Sequence, residues 1–203
     1  MDKKYWEHFY RDAHVGLQQP STFSVFCNNI IEPHSRIVDL GCGNARDTQY
    51  FSKSGHFVTG IDQVIYNTEQ MESDNLKLLK ADFTKHDYRE LQAVDIFYSR
   101  FSIHSITQQE EKELILRVYE KLERGGSFCV EARTVNDEKC GKGKEVSKNT
   151  YELDGHTRRF IDSNEFVQSC IGMGFKLKYF NEKSGLSVYN DDDPVLMRLV
   201  VTK

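Results

Sequence analysis

The 203-residue sequence predicts an α/β protein built on a doubly wound, mostly parallel sheet of seven strands with an antiparallel C-terminal strand. Three observations predict it. Short runs rich in β-branched and aromatic residues alternate with segments of helical spacing, the pattern of parallel strands joined by right-handed crossovers. The first such run, RIVDL, breaks directly into Gly41-Cys42-Gly43 ahead of a helix-like segment. The chain then closes on two strand-like runs, FKLKYFNEK and PVLMRLVVT, joined by a polar loop in a hairpin-like ending. Such a pair is expected to add an antiparallel strand at one edge of the sheet.

The elements follow in order. KKYWEHFYRDA reads as a first helix carrying Tyr5, Trp6, Phe9 and Tyr10. After a turn at Gln19-Pro20, STFSVFCNNII is a second, with Phe23, Phe26, Ile30 and Ile31 near helical spacing. RIVDL, HFVTGID, LKLLKAD and VDIFYSR are strands. ARDTQYFSKSG, between the first two, is a helix ending at Gly55, and DYRELQA, ahead of the fourth, is helix-competent. Thr107-Gln108-Gln109-Glu110 is a capping-box pattern. The helix it opens carries an apolar stripe of Leu114, Ile115, Val118 and Leu122 and is expected to stop at Gly125-Gly126. SFCVEAR is a strand, and Asp162-Ser163-Asn164-Glu165 starts the final helix, SNEFVQSCIGMG.

The whole chain, 1–203, reads as one domain, with N-terminal helices over 1–34 and an insertion over 134–160. That insertion is polar, glycine-punctuated and too long for an ordinary connection, which marks it as a functional flap.

Composition removes several classes of function. Lysine and arginine (27) nearly balance aspartate and glutamate (31), and a net charge of −4 gives no general attraction to nucleic acid or anionic membranes. No apolar run reaches the length of a membrane span, and MDKKYWEHFYRD lacks a signal-peptide core. Five scattered cysteines without a CxxC pair argue against a disulfide framework or a zinc site, and no other metal cluster has convincing spacing. A cytoplasmic protein, monomeric or homodimeric, is expected.

In an open parallel sheet, ligands bind beyond the carboxyl ends of the strands where strand order reverses. Here the first strand ends in Gly41 and Gly43, which let a ligand approach main-chain atoms where a Cβ would collide. Asp62 ends the next strand about 20 residues on, the separation of a carboxylate that grips a ribose hydroxyl. A dinucleotide-binding loop would carry a third glycine in GxGxxG, and that place holds Arg46, which disfavours an NAD(P)-dependent oxidoreductase. A tight turn with no ligand is the plain alternative for the glycine pair.

Val38-Asp39-Leu40-Gly41-Cys42-Gly43-Asn44 resembles the first motif of class I S-adenosylmethionine-dependent methyltransferases, whose fold is the Rossmann-like sheet described above. The resemblance covers most of the chain. Asp62, followed by Gln63, stands where the family's ribose-binding acid ends the second strand. Ala81-Asp82-Phe83 resembles the motif that flanks adenine, and Tyr98-Ser99-Arg100-Phe101 occupies the end of the fourth strand, beneath the methionine portion. Glu123-Arg124-Gly125-Gly126 resembles the turn before the fifth strand. The resemblance implies S-adenosylmethionine as cofactor, bound by Asp39, Gly41, Gly43, Asp62, Gln63, Asp82, Phe83 and Ser99. It implies a small-molecule acceptor resembling those of small free-standing bacterial enzymes. DNA amino-methyltransferases carry an Asp/Asn-Pro-Pro-aromatic motif where this chain has Ser99-Arg100-Phe101-Ser102, which argues strongly against that subclass.

The remaining candidates surround that frame. His104, just past the fourth strand, is either a base for a hydroxyl acceptor or a histidine packed in its loop. Arg100 would orient an anionic substrate or the methionine carboxylate. Tyr5 and Trp6 are either a lid, Trp6 toward the cofactor and Tyr5 toward the substrate, or plain core. Arg133, His156, Arg158 and Arg159 are candidates for an anionic acceptor, because guanidinium groups grip phosphate or carboxylate bidentately; a solvated hairpin is the alternative. O-methylation is the expected reaction, N-methylation the second. A catalytically inactive cofactor-binding protein would show the same motifs.

Overall fold

The structure, a computed structural model, describes residues 5–6, 19–65, 73–153 and 155–203. Strand β1 (Arg36–Leu40) leads to helix α2 (Arg46–Lys53), which is preceded in the chain by α1 (Thr22–Asn28). Strands β2 (Phe57–Asp62), β3 (Leu76–Lys80), β4 (Val94–Arg100) and β5 (Leu122–Arg133) follow, with α3 (Gln108–Lys121) crossing from β4 to β5. After β6 (Lys144–Ser147), β7 (Thr150–Leu153) and β8 (His156–Arg159) come α4 (Ser163–Met173), β9 (Lys176–Lys183) and β10 (Leu196–Thr202). Seven of the strands form one sheet in the order β3-β2-β1-β4-β5-β10-β9.

Side-chain alternation along the strands explains why this sheet is covered on both faces. Val38 and Leu40 of β1, Phe97 of β4, and Phe128 and Val130 of β5 face one core, closed by Leu114, Ile115 and Val118 of α3 and Phe166 of α4. Their neighbours Ile37, Ile96, Tyr98 and Cys129 face the other, closed by Phe23 and Cys27 of α1 and Phe51 of α2. The helices start where side chains satisfy the first free amides. Ser21 accepts from Ser24, Thr107 and Glu110 make the reciprocal capping box, and Asp162 accepts from Asn164 and Glu165.

Three expectations are corrected. The antiparallel strand is not at the edge: β10 lies between β5 and β9 and is antiparallel to both. Its first six residues are all buried, whereas β9 is largely exposed and takes the edge. DYRELQA forms only a 3-10 turn at Tyr88–Glu90; Asp87 accepts from Arg89 and the Tyr88 hydroxyl donates to the Phe83 carbonyl, so local bonds close the segment after one turn. Helix α3 stops at Lys121 rather than at the glycines, because Leu122 already pairs with Val94 across the sheet. The 134–160 segment, expected as a functional flap, has regular structure of its own. It holds a three-stranded antiparallel sheet, β6-β7-β8, turned at Asn149 and Gly155 in left-handed conformations. Of the expected first helix only Tyr5 and Trp6 are helical described residues; Phe9, Tyr10 and the rest lie outside the described residues.

Strand order reverses between β1 and β4, so the sheet's switch point lies at their carboxyl ends. The loops leaving these strands are locked together there. Gly41 has φ +75°, and a Cβ on it would sit 2.5 Å from the Ser102 Cβ. Phe101, at φ +55°, bends the chain out of β4 in a conformation that bulky residues adopt only when their surroundings force it.

Candidate active site

A cavity of about 510 Å³ opens at this switch point. Its β1–β2 side is lined by Asp39, Gly41, Cys42, Asn44, Asp62 and Phe83. The Asp62 carboxylate is held at both oxygens by main-chain amides, from Gly43 at 2.9 Å and Val64 at 2.8 Å. Burial pushes its pKa up, and those amides act in the opposite direction. Phe83 presents a buried ring to the same space. Asp82 does not line the cavity; its carboxylate accepts from the Thr84 amide and hydroxyl and shapes the turn that aims Phe83. Gly43, Gln63 and Ser99 are likewise absent from the wall. Gly43 acts through its amide on Asp62, and the Ser99 and Ser102 hydroxyls bond each other at 2.5 Å.

Asp39 accepts from the Thr48 hydroxyl at 2.7 Å, and burial pushes its pKa up to about 8. The folded chain therefore holds a proton that the unfolded chain has lost, so the stability from this group fades as pH rises from 3.8 to about 8. In Asp39→Asn that slope is expected to vanish. Urea denaturation across the window should show the variant gaining on the wild type as pH rises, and parallel curves would contradict the protonated state.

The N-terminal segment is tied to this loop through Asp47. Its carboxylate accepts from the Ser21 amide and hydroxyl, the Ser24 hydroxyl and the Tyr98 hydroxyl, all within 2.9 Å. Ser21, Asp47 and Tyr98 all reach the cavity wall.

The opposite side is built from the end of β4 and from the polar segments that follow β5 and β9. Arg100 donates to Glu131 at 2.9 Å and to Ser187 at 2.8 Å, and its guanidinium lies 4.1 Å from the Phe101 ring centroid. Glu131 is fully buried and also receives Arg198 at 2.6 Å. Arg100 thus forms part of a buried ion cluster at the wall. Its second bond braces the Ser187 loop, and its guanidinium still reaches the cavity wall.

His104, in the 3-10 turn Ile103–Ser105, is 3 % exposed and reaches the cavity. Its Nδ1 has no hydrogen-bond partner. Burial first, then the charges of Arg158, Arg133, His156 and Arg159, hold its pKa well below the ordinary imidazole range, so the ring is neutral at pH 7. Arg133 lines the cavity but is paired with Asp137 and Asp192. Arg159 points away from the cavity, donating to the Ile106 and Ile103 carbonyls and to Glu111. His156 is also off the wall, stacked on Tyr5 at 4.1 Å and edge-on to Trp6 at 5.3 Å. Tyr5, Trp6 and Arg158 do line it.

Sequence reasoning missed Ser187, Val188, Tyr189 and Asp192, which line the cavity from the β9–β10 connection. A signal was available. β9 runs in the same direction as β5, so whatever follows it emerges at the same sheet edge. Among the described residues no group of His, Cys, Asp and Glu is arranged to hold a metal, and no helix is long and apolar enough to cross a membrane.

Residues 38–130 match the family model described as a methyltransferase domain. The fold is similar to a Burkholderia thailandensis 1,6-didemethyltoxoflavin N1-methyltransferase, crystallised with that compound and S-adenosylhomocysteine, at TM-score 0.74 and 16% identity over 98% of this chain and 86% of that one. It is also similar to a Methanosarcina mazei S-adenosylmethionine-dependent methyltransferase, at TM-score 0.73 and 14% identity over 88% and 96% of the two chains. A TehB-like methyltransferase from Corynebacterium glutamicum matches at TM-score 0.68 and 16% identity, over 98% and 97%. No curated protein matches the sequence. The domain match over residues 38–130, the sheet order and the glycine turn at the switch point mark a methyltransferase domain of Rossmann-like fold.

Proposed function

We propose that the chain is a class I S-adenosylmethionine-dependent methyltransferase that acts on a hydroxyl oxygen of a small molecule. His104 carries the reading: a buried, neutral imidazole at the cavity wall with Nδ1 unpartnered. Neutral imidazole accepts a proton, and a hydroxyl is the acceptor group that must lose one.

The β1–β2 side of the cavity suits the cofactor. Asp62, fixed by two amides, offers its carboxylate to a ribose diol, and the Phe83 ring offers an apolar wall to adenine. The Gly41 turn brings main chain to the cavity surface without a Cβ. When bound, S-adenosylmethionine supplies a methyl group activated by sulfonium. The protein's contribution is alignment and proton removal. The His104 imidazole would accept the proton that the hydroxyl loses as it is methylated. A net charge of −4 offers no basic track for a nucleic-acid acceptor, which supports a small molecule.

A nitrogen acceptor is the second reading, because the Burkholderia relative is an N1-methyltransferase and another neighbour a glycopeptide N-methyltransferase. An amine needs alignment more than a base. The test supplies methyl-¹³C S-adenosylmethionine with a metabolite panel of matched alcohols, phenols and amines, and locates the label by NMR. Label on oxygen is expected; label on nitrogen alone would overturn the hydroxyl reading.

A further inference from the structure

We propose that Arg158 seats an anionic group of the acceptor, with His104 beside it, so that the substrate is an acid with an apolar body. This rests on the methyltransferase reading above and names the substrate class for the same cavity.

The cations around this wall are matched with one exception. Arg133 is paired with Asp137 and Asp192, Lys139 with Asp192, Arg159 with Glu111, and Arg100 with Glu131. The Arg158 side chain makes no hydrogen bond or ion pair among the described residues, and its Nε is buried without a partner. A buried donor left unsatisfied keeps its desolvation cost. That cost disappears when a ligand brings an acceptor, and a guanidinium matches the two oxygens of a carboxylate or phosphate best.

The local architecture holds Arg158 in place for this. Strand β8 alternates, so Arg158 reaches the cavity while Arg159 turns the other way. Arg159 then fastens the strand to the carbonyls of Ile103 and Ile106, on either side of His104. The same anchor therefore positions both the unpaired guanidinium and the His104 turn. Of the cavity's carboxylates, Asp39, Asp47 and Asp62 lie on the β1–β2 side, and Asp192, close enough to act on Arg158, is already paired with Arg133 and Lys139. Phe101, Val188 and Tyr189 give the near wall an apolar surface, which suits an acid carried on an apolar or aromatic body.

The experiment is calorimetry on the full chain. S-adenosylhomocysteine is titrated first into wild type, Arg158→Gln and Arg158→Lys. Benzoate, phenyl phosphate and the neutral benzyl alcohol are then titrated into each saturated protein. Wild type is expected to bind one of the anions about 10-fold or more tightly than benzyl alcohol, as a charge-assisted bond implies. Arg158→Gln should lose that preference with S-adenosylhomocysteine affinity retained, and Arg158→Lys should keep part of it. A lead for benzoate identifies a carboxylate, a lead for phenyl phosphate a phosphate. No anion preference in wild type, or an equal preference in Arg158→Gln, overturns the seat while leaving the enzyme class intact. Failure of wild type to bind S-adenosylhomocysteine would instead strike the methyltransferase reading itself.

Discussion

Replacing His104 with alanine is expected to lower turnover about 10²-fold, the scale of a lost general base, while S-adenosylhomocysteine affinity stays within a few-fold of wild type. The asymmetry follows from position. His104 lies in the turn Ile103–Ser105 that follows β4, and among the described residues no hydrogen bond joins its side chain to the glycine loop or to Asp62. The pH dependence provides a second readout. The group must be neutral to accept a proton, and burial with four neighbouring cationic side chains keeps it neutral well below the ordinary imidazole range. The acid limb of kcat/KM, which reports the free enzyme, should therefore lie below pH ~6.5 in wild type and disappear in the alanine variant. An unaltered rate in His104→Ala would assign the residue to packing against Phe101, whose ring centre is 5.6 Å away.

Asp62→Ala is expected to weaken cofactor binding by about 1–3 kcal/mol, or roughly 5- to 150-fold. Two losses combine in that figure. A ribose hydroxyl would lose its charged acceptor, and the amides of Gly43 and Val64 would lose the carboxylate that fixes the loop. Asp62→Asn separates them, since its single carbonyl oxygen can satisfy only part of this set. An affinity between wild type and alanine is the expected result for it. Calorimetry with S-adenosylhomocysteine measures both variants, and unchanged affinity in Asp62→Ala would remove the residue from the site.

The parts of the fold legible from sequence are those in which local pattern and tertiary demand agree. RIVDL-Gly-Cys-Gly is one. Its strand is buried, and the glycine is required because a Cβ at 41 would strike Ser102. Thr107-Glu110 is another, a cap whose two bonds are wholly local. Legibility failed where distant contacts decide. Helix α3 could have continued to the glycines by propensity, but pairing of Leu122 with Val94 ends it earlier. Strands β6, β7 and β8 are four residues each and mostly polar, so their alternation was too short to stand out. The site divides in the same way. Asp62 and Phe83 are readable from their places after strands, and both reach the cavity. Arg100, Arg133, Arg158 and Arg159 look equivalent in sequence; only packing shows that three are paired with carboxylates and Arg158 is not. Asp82 fits its motif, yet its carboxylate shapes a turn and does not face the cavity.

The central claim is that the crevice between the ends of β1 and β4 holds the adenosyl cofactor, and a crystal structure of the complex with S-adenosylhomocysteine tests it most directly. The account predicts ribose hydroxyls on the Asp62 carboxylate, adenine against Phe83 and the sulfur turned toward the His104 side. Density for the nucleoside at any other surface, or in this crevice with Asp62 contacting none of it, would contradict it.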